Sequence, residues 1–155
     1  LMRVCPIPDL KFEKFFVSIR RLLITNLDNF KLSPELIYFL STLSLHCFTN
    51  EYIYNEKNEE TELIENLEHE IMQTFANSEQ PEVKKILCLA SYRPLHLYNW
   101  YHKLKALDHL EEVKSRLIKE PYVERKIKPE IPILGVISND VSRKVKEQYE
   151  ENPYP

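Results

Sequence analysis

Five histidines and three cysteines are the residues of this chain best suited to hold a metal or attack a substrate, and their spacing argues against both. Cys5, Cys47 and Cys88 lie 42 and 41 residues apart, which fits neither a disulfide framework nor the short steps of a zinc site. They read as reduced, cytosolic thiols. Cys47 and Cys88 fall in apolar helical stretches, where a free cysteine packs as a small hydrophobe. Glu68-His69-Glu70 begins the pattern of a helical zinc site, but Gln73 stands where the second histidine should follow, so it reads as an exposed helix face. His96, His102 and His109 are six and seven residues apart, off the i, i+4 step that puts two ligands on one face. His46 and Cys47, being adjacent, point in different directions. No Gly-x-Ser-x-Gly turn exposes a serine nucleophile. The single glycine, Gly135, rules out the glycine-rich loops that cradle phosphates, dinucleotides or methyl donors. The expectation is a chain that binds no metal or cofactor of its own and displays no reaction.

The elements are easier to read. A chain of 155 residues, 43% apolar and with a net charge of −3, can bury a core without disulfide or metal staples. Apolar residues at three- and four-residue steps from Leu10 (Phe12, Phe15, Phe16, Ile19, Leu22, Leu23, Leu27) predict an amphipathic helix capped by Asp9. Ser33-Pro34-Glu35 is a helix start, and the segment to Phe48 is apolar nearly all round, as a central buried helix would be. Asn50 to Asn55 reads as an extended connection, and Glu59 to Phe75 as the next helix. Pro81 opens another, which Pro94 breaks or restarts. Helical spacing then continues through Leu97, Trp100, Tyr101 and Leu104, and again through Leu110, Val113 and Leu117. At Pro121, with Pro129 and Pro132 close behind, a proline-rich extended arm is expected over 121–137, including a strap or short strand at Ile131 to Ile137. Ser138 then caps a last helix with Val141, Val145 and Tyr149 on one face, and Pro153 ends it. The expected fold is all-α, an irregular bundle of about six to seven helices. It is one domain overall, with a helical core over 1–120, the arm, and a terminal helix and junction over 138–155. No stretch is apolar enough to span a membrane, and both ends look cut from something longer.

Charge is uneven. Residues 51–70 carry eight glutamates against Lys57, whereas residues 1–31 carry six basic and three acidic groups. The acidic run reads as a solvated helix face. The basic residues are scattered among acids, which disfavours nucleic acid as a partner. Tyr92, Tyr98, Trp100 and Tyr101 beside Arg93, His96, His102 and Lys103 read as core and groove packing.

The end of the chain is the most distinctive stretch. Gln148-Tyr149-Glu150-Glu151-Asn152-Pro153-Tyr154-Pro155 resembles a motif in a family of bacterial proteins in which a helical, sometimes tetratricopeptide-containing region precedes an S-adenosylmethionine-dependent methyltransferase domain. Cys47-Phe48-Thr49-Asn50-Glu51-Tyr52 and Tyr92-Arg93-Pro94-Leu95 are similar to landmarks of that helical region. The resemblance implies a non-catalytic accessory or substrate-recognition domain, with S-adenosylmethionine held by a catalytic domain in cis or in trans and a protein as possible substrate. The catalytic fold of that family lies beyond the motif, where this chain stops.

Physically, Tyr149 is placed to anchor the last helix on the core. Glu150, Glu151 and Asn152 then stand at the helix end whose dipole opposes negative charge, which suits a pairing with a basic group elsewhere. Residues 148–155 are therefore the expected interface with the catalytic domain or the border of its substrate entrance. Asn50, Glu51, Tyr52, Tyr92 and Arg93 are secondary candidates. The competing expectation is a free-standing helical interaction module that binds a partner helix or basic peptide along the acidic face.

Overall fold

The computed structural model describes residues 2–5, 7, 9–132 and 140–151, and among them every regular element is helical. The helices are α1 (Leu10–Thr25), α2 (Pro34–Thr49), α3 (Asn58–Ala76), α4 (Val83–Ala90), α5 (Glu111–Lys114), α6 (Glu120–Ile127) and α7 (Asp140–Glu151). A π turn at Ser115–Lys119 joins α5 to α6, and the all-α fold of the sequence reading is observed among the described residues. Short 3₁₀ turns lie at Leu27–Asn29, Leu95–Leu97, Tyr101–Lys103 and Lys128–Glu130. The chain divides into two units, Leu1–Tyr122 and Val123–Pro155.

The starts follow from local chemistry. The Asp9 carboxylate accepts from the Lys11 and Phe12 amides at 2.7 and 3.3 Å. Ser33 Oγ accepts from the Leu36 amide at 3.2 Å, with Pro34 in the first turn. The ends are less usual. After α2 the Tyr52 amide donates to Cys47 O and the Glu51 amide to Phe48 O. After α3 the Glu79 amide donates to Thr74 O and the Ser78 amide to Phe75 O. Both are the paired 6→1 and 5→2 closures that normally place a glycine in the left-handed region. Here Glu51, Tyr52 and Ser78 adopt φ of 52°, 58° and 62° instead. Each costs about 1–2 kcal/mol relative to a right-handed residue, a cost the closing hydrogen bonds and surrounding packing must offset.

In the first unit α2 and α4 are the inner pair. Leu40, Leu43, Leu45 and Cys47 of α2 and Ile86, Leu87, Cys88 and Leu89 of α4 are completely buried, and this pair makes the most extensive helix contact. A fully buried aliphatic side chain stabilises the fold by about 1.5–3 kcal/mol, so these residues hold the other helices to a common centre. α1 and α3 pack on each other and on α4.

Three expectations change. The buried face of α1 is Phe16, Arg20, Leu23 and Ile24, whereas Phe12, Phe15 and Leu22 are about half exposed. The apolar sector of α1 is wider than the surface its neighbours cover. Between Pro94 and His109 the expected helical spacing is realised as irregular turns, because burial of Leu95, Trp100, Leu104 and Leu107 is achieved by stacking Tyr98 on Trp100 and Trp100 on Phe75. Finally, the extended arm does not begin at Pro121, since α6 runs through it. Proline lacks an N–H and its ring crowds the carbonyl four residues earlier. The π turn immediately before it opens the helix at that point and relieves both demands. Ile131 has extended backbone angles, and the rest of the expected strap at 133–137 lies outside the described residues.

Candidate functional site

Of the secondary candidates, Tyr92 lies against a buried cation for which the sequence alone gives no functional reading. Arg20 on α1 is wholly buried. Its Nη1 donates to Ser91 O at 3.1 Å, and its Nη2 to Tyr54 O and Asn55 O at 3.2 and 3.3 Å. Its guanidinium lies over the rings of Tyr92 and Tyr54, 4.3 and 5.3 Å from their centroids. Ser91 caps the C-terminus of α4, where the helix dipole favours a cation. One planar cation thus ties α1, the connection after α2 and the end of α4 together. Its sequence signal is position: Arg20 continues the 16, 20, 23, 27 stripe otherwise made of Phe16, Leu23 and Leu27.

Tyr92 extends the tie. Its hydroxyl donates to Glu60 Oε1 at 3.0 Å, while Glu60 Oε2 accepts from Arg21 at 3.0 Å and from the Lys57 amide at 3.1 Å. Burial raises the Tyr92 pKa, so the phenol stays a donor. Arg93 next to it grips both oxygens of Glu56, with Nη2 at 2.9 Å, and the Tyr98 hydroxyl donates to Glu68. The Tyr52 ring packs edge-on against Phe48, and its hydroxyl is buried with no hydrogen-bond partner. The Glu51 side chain points into solvent.

Asn50 belongs to a second cluster. Tyr54 OH and His46 Nε2 are 2.7 Å apart, Asn50 Nδ2 donates to Tyr54 OH at 2.7 Å, and the same amide lies 3.1 Å from His46 Nε2. His46 Nδ1 is 3.0 Å from Met2 O, a carbonyl that can only accept, so Nδ1 carries the proton and Nε2 accepts from Tyr54. Burial lowers the His46 pKa. The folded state therefore favours neutral imidazole, and the stability this represents is full above the unfolded value near 6.5 and is lost as pH falls below it. The urea midpoint is expected to fall between pH 7 and pH 5, with a slope of up to about 1.4 kcal/mol per pH unit from this group. His46→Leu, though less stable at pH 7, should remove that component; an unchanged slope would refute the assignment.

Burial pushes the thiols of Cys47 and Cys88 up to about 12, and neither is in a disulfide. At neutral pH such buried thiols are poor nucleophiles. His69 lies on the exposed side of α3 with Gln73 Nε2 at 2.7 Å. Among the described residues no group of three His, Cys, Asp or Glu side chains stands where it could hold a metal ion. No helix among them is long and apolar enough to cross a membrane.

The leading candidates lie in the second unit. Gln148, Tyr149 and Glu150 are on the last turns of α7, which ends at Glu151; Asn152, Pro153 and Tyr154 lie outside the described residues. Tyr149 is 54% exposed. Glu150 pairs with Lys146 at 3.5 Å, one turn back.

A further surface feature emerges in the first unit. A mostly apolar groove of about 440 Å³ opens between α2 and the start of α5, with Ile37 and Tyr38 on one wall, Leu110 and Val113 on the other, and Arg3 at its mouth. Its size is that of a small-ligand or side-chain pocket.

No protein-family model, no curated protein and no solved structure matches this chain.

Proposed function

We propose that the chain is a non-catalytic helical accessory or substrate-recognition domain of an S-adenosylmethionine-dependent methyltransferase, working in the cytosol. The methyl donor is held by the catalytic domain, in cis or in trans, and the terminal motif meets that domain. The observation that supports this is the helix carrying the motif: α7 keeps Val141, Val145 and Tyr149 on one exposed side, a stripe suited to a neighbouring apolar surface.

Isothermal titration of S-adenosylmethionine tests the reading. The expected result is no heat with the 155-residue chain alone and saturable binding when the catalytic domain is present. In that assembly Glu150→Ala and Asn152→Ala should each lower methyl transfer by about tenfold, the equivalent of 1.4 kcal/mol at the contact, without shifting the melting temperature. Unchanged transfer would remove the motif from the interface. The apolar groove of the first unit favours a second reading, a free-standing interaction module. A chain that binds a protein partner, while no assembly containing it binds the methyl donor, would establish that one.

A further inference from the structure

The groove between α2 and α5 already holds a guanidinium belonging to the chain itself, and the manner of its holding defines a ligand. Arg3 lies over the Tyr38 ring, 4.7 Å from its centroid. Its Nε and Nη2 both donate to Thr42 Oγ1 at 3.1 Å, and Nη1 pairs with the Glu112 carboxylate. An aromatic face, a hydroxyl and a carboxylate arranged around one planar cation select arginine over lysine, which can neither stack nor fork.

The backbone around Arg3 is read as well. Met2 O accepts from His46, and Arg3 O accepts from the Arg116 guanidinium. Met2 also packs on the edge of the core, whereas Val4 is 70% exposed. The segment leaves the apolar space beside the guanidinium unfilled: about 440 Å³ remains between the two walls. Ser41 lines it, with its hydroxyl buried and without a hydrogen-bond partner. An arginine clamp next to an unfilled apolar cavity fits a segment with a large apolar side chain adjacent to an arginine. Glu112 of the lining, which now pairs with Arg3, complements its charge, while Glu111 beside it pairs with Lys119 at 3.1 Å.

We propose that this groove docks an arginine-bearing segment of a partner protein, whose neighbouring apolar side chain fills the cavity while its arginine displaces Arg3. Residues 2–5 then act as a built-in competitor that keeps the site closed to weak ligands. The proposal goes beyond the methyltransferase reading and is independent of the terminal motif. It also places a basic ligand away from the acidic face of α3.

The probe is acetyl-Ser-Leu-Arg-Phe-Ser-Lys-amide with fluorescein on the lysine, titrated by anisotropy against the full chain and its Arg3→Ala variant. Saturable binding is expected, tighter by at least about tenfold for Arg3→Ala, because the tethered competitor is gone. Adding Glu112→Gln to that variant should weaken binding by about tenfold through loss of the charge-assisted bond, whereas adding Glu62→Gln on the exposed side of α3 should not. Absence of binding to both chains, equal binding of the Arg→Gln peptide, or sensitivity to Glu62→Gln in place of Glu112→Gln would each overturn the proposal. Should Arg3→Ala fail to fold, the Arg3 Nε–H resonance of the unaltered chain decides. Excess peptide must move it to the position of a free guanidinium, and a resonance that stays put is the contrary result.

Discussion

Arg20→Met is expected to destabilise the first unit by about 3–5 kcal/mol, the range observed when one partner of a buried charged network is removed. The methionine covers part of the aliphatic stem but donates nothing. Ser91 O, Tyr54 O and Asn55 O lose the donor that now satisfies them, and an unsatisfied buried polar group costs about 1–3 kcal/mol. The faces of Tyr92 and Tyr54 lose their cation as well. Total stabilities of single domains lie at about 5–15 kcal/mol, so the loss is a large share of the whole. Urea titration followed by circular dichroism measures it, and the melting temperature should fall by about 6–20 °C at this chain length. Arg20→Lys is expected to recover little, because an ammonium cannot bond carbonyls on two sides while lying flat on a ring. A loss below about 1 kcal/mol would mean that the carbonyls find other donors and that Arg20 is not the tie described.

Glu60→Ala should follow at about 2–4 kcal/mol, a smaller effect because one of its partners reaches solvent. Arg21 is about one-third exposed and can be rehydrated, so that arm of the network contributes little net stability. The Tyr92 hydroxyl and the Lys57 amide are the costly orphans, the first buried and the second at the start of α3. Tyr92→Phe removes the same contact from the other side without opening a cavity and should cost about 1–2 kcal/mol. The double-mutant cycle isolates their coupling, expected at about 1–2 kcal/mol for a hydrogen bond to a buried carboxylate. Coupling below about 0.5 kcal/mol would show that Glu60 acts as a helix-start residue rather than as the link from α3 to α4.

The helices that begin at Leu10 and Pro34 were legible because their signals are local. A cap, a proline in the first turn and an apolar repeat all act within a few residues of one another. The stretch after Pro94 misled for the complementary reason. Its three- and four-residue apolar steps are also produced by consecutive tight turns that bury alternate groups, and the stacking of Tyr98, Trp100 and Phe75 that selects the turns is tertiary. Pro121 misled too, because a proline is read as a helix breaker unless the preceding turn is already widened, and no residue type announces a π turn.

Candidate site residues divide along the same line. Asn50, Glu51, Tyr52, Tyr92 and Arg93 stand out only by resemblance, and nothing in their own spacing shows that Arg20 and Glu60 gather Tyr92 and the connection after α2 at one place. Arg20 itself looked like one basic residue among the six of residues 1–31. Its desolvated state exists only because α4 ends where its carbonyls can receive a cation. By composition and periodicity alone, this sequence determines an all-α chain with a large apolar core and without glycine-rich cofactor loops, since helix formation and burial follow from local pattern and total apolar content. Which arginine is buried, which carboxylate receives the tyrosine and where the groove opens are decided by tertiary packing, because each depends on donors, acceptors and walls from segments far apart in the chain meeting within a few ångströms.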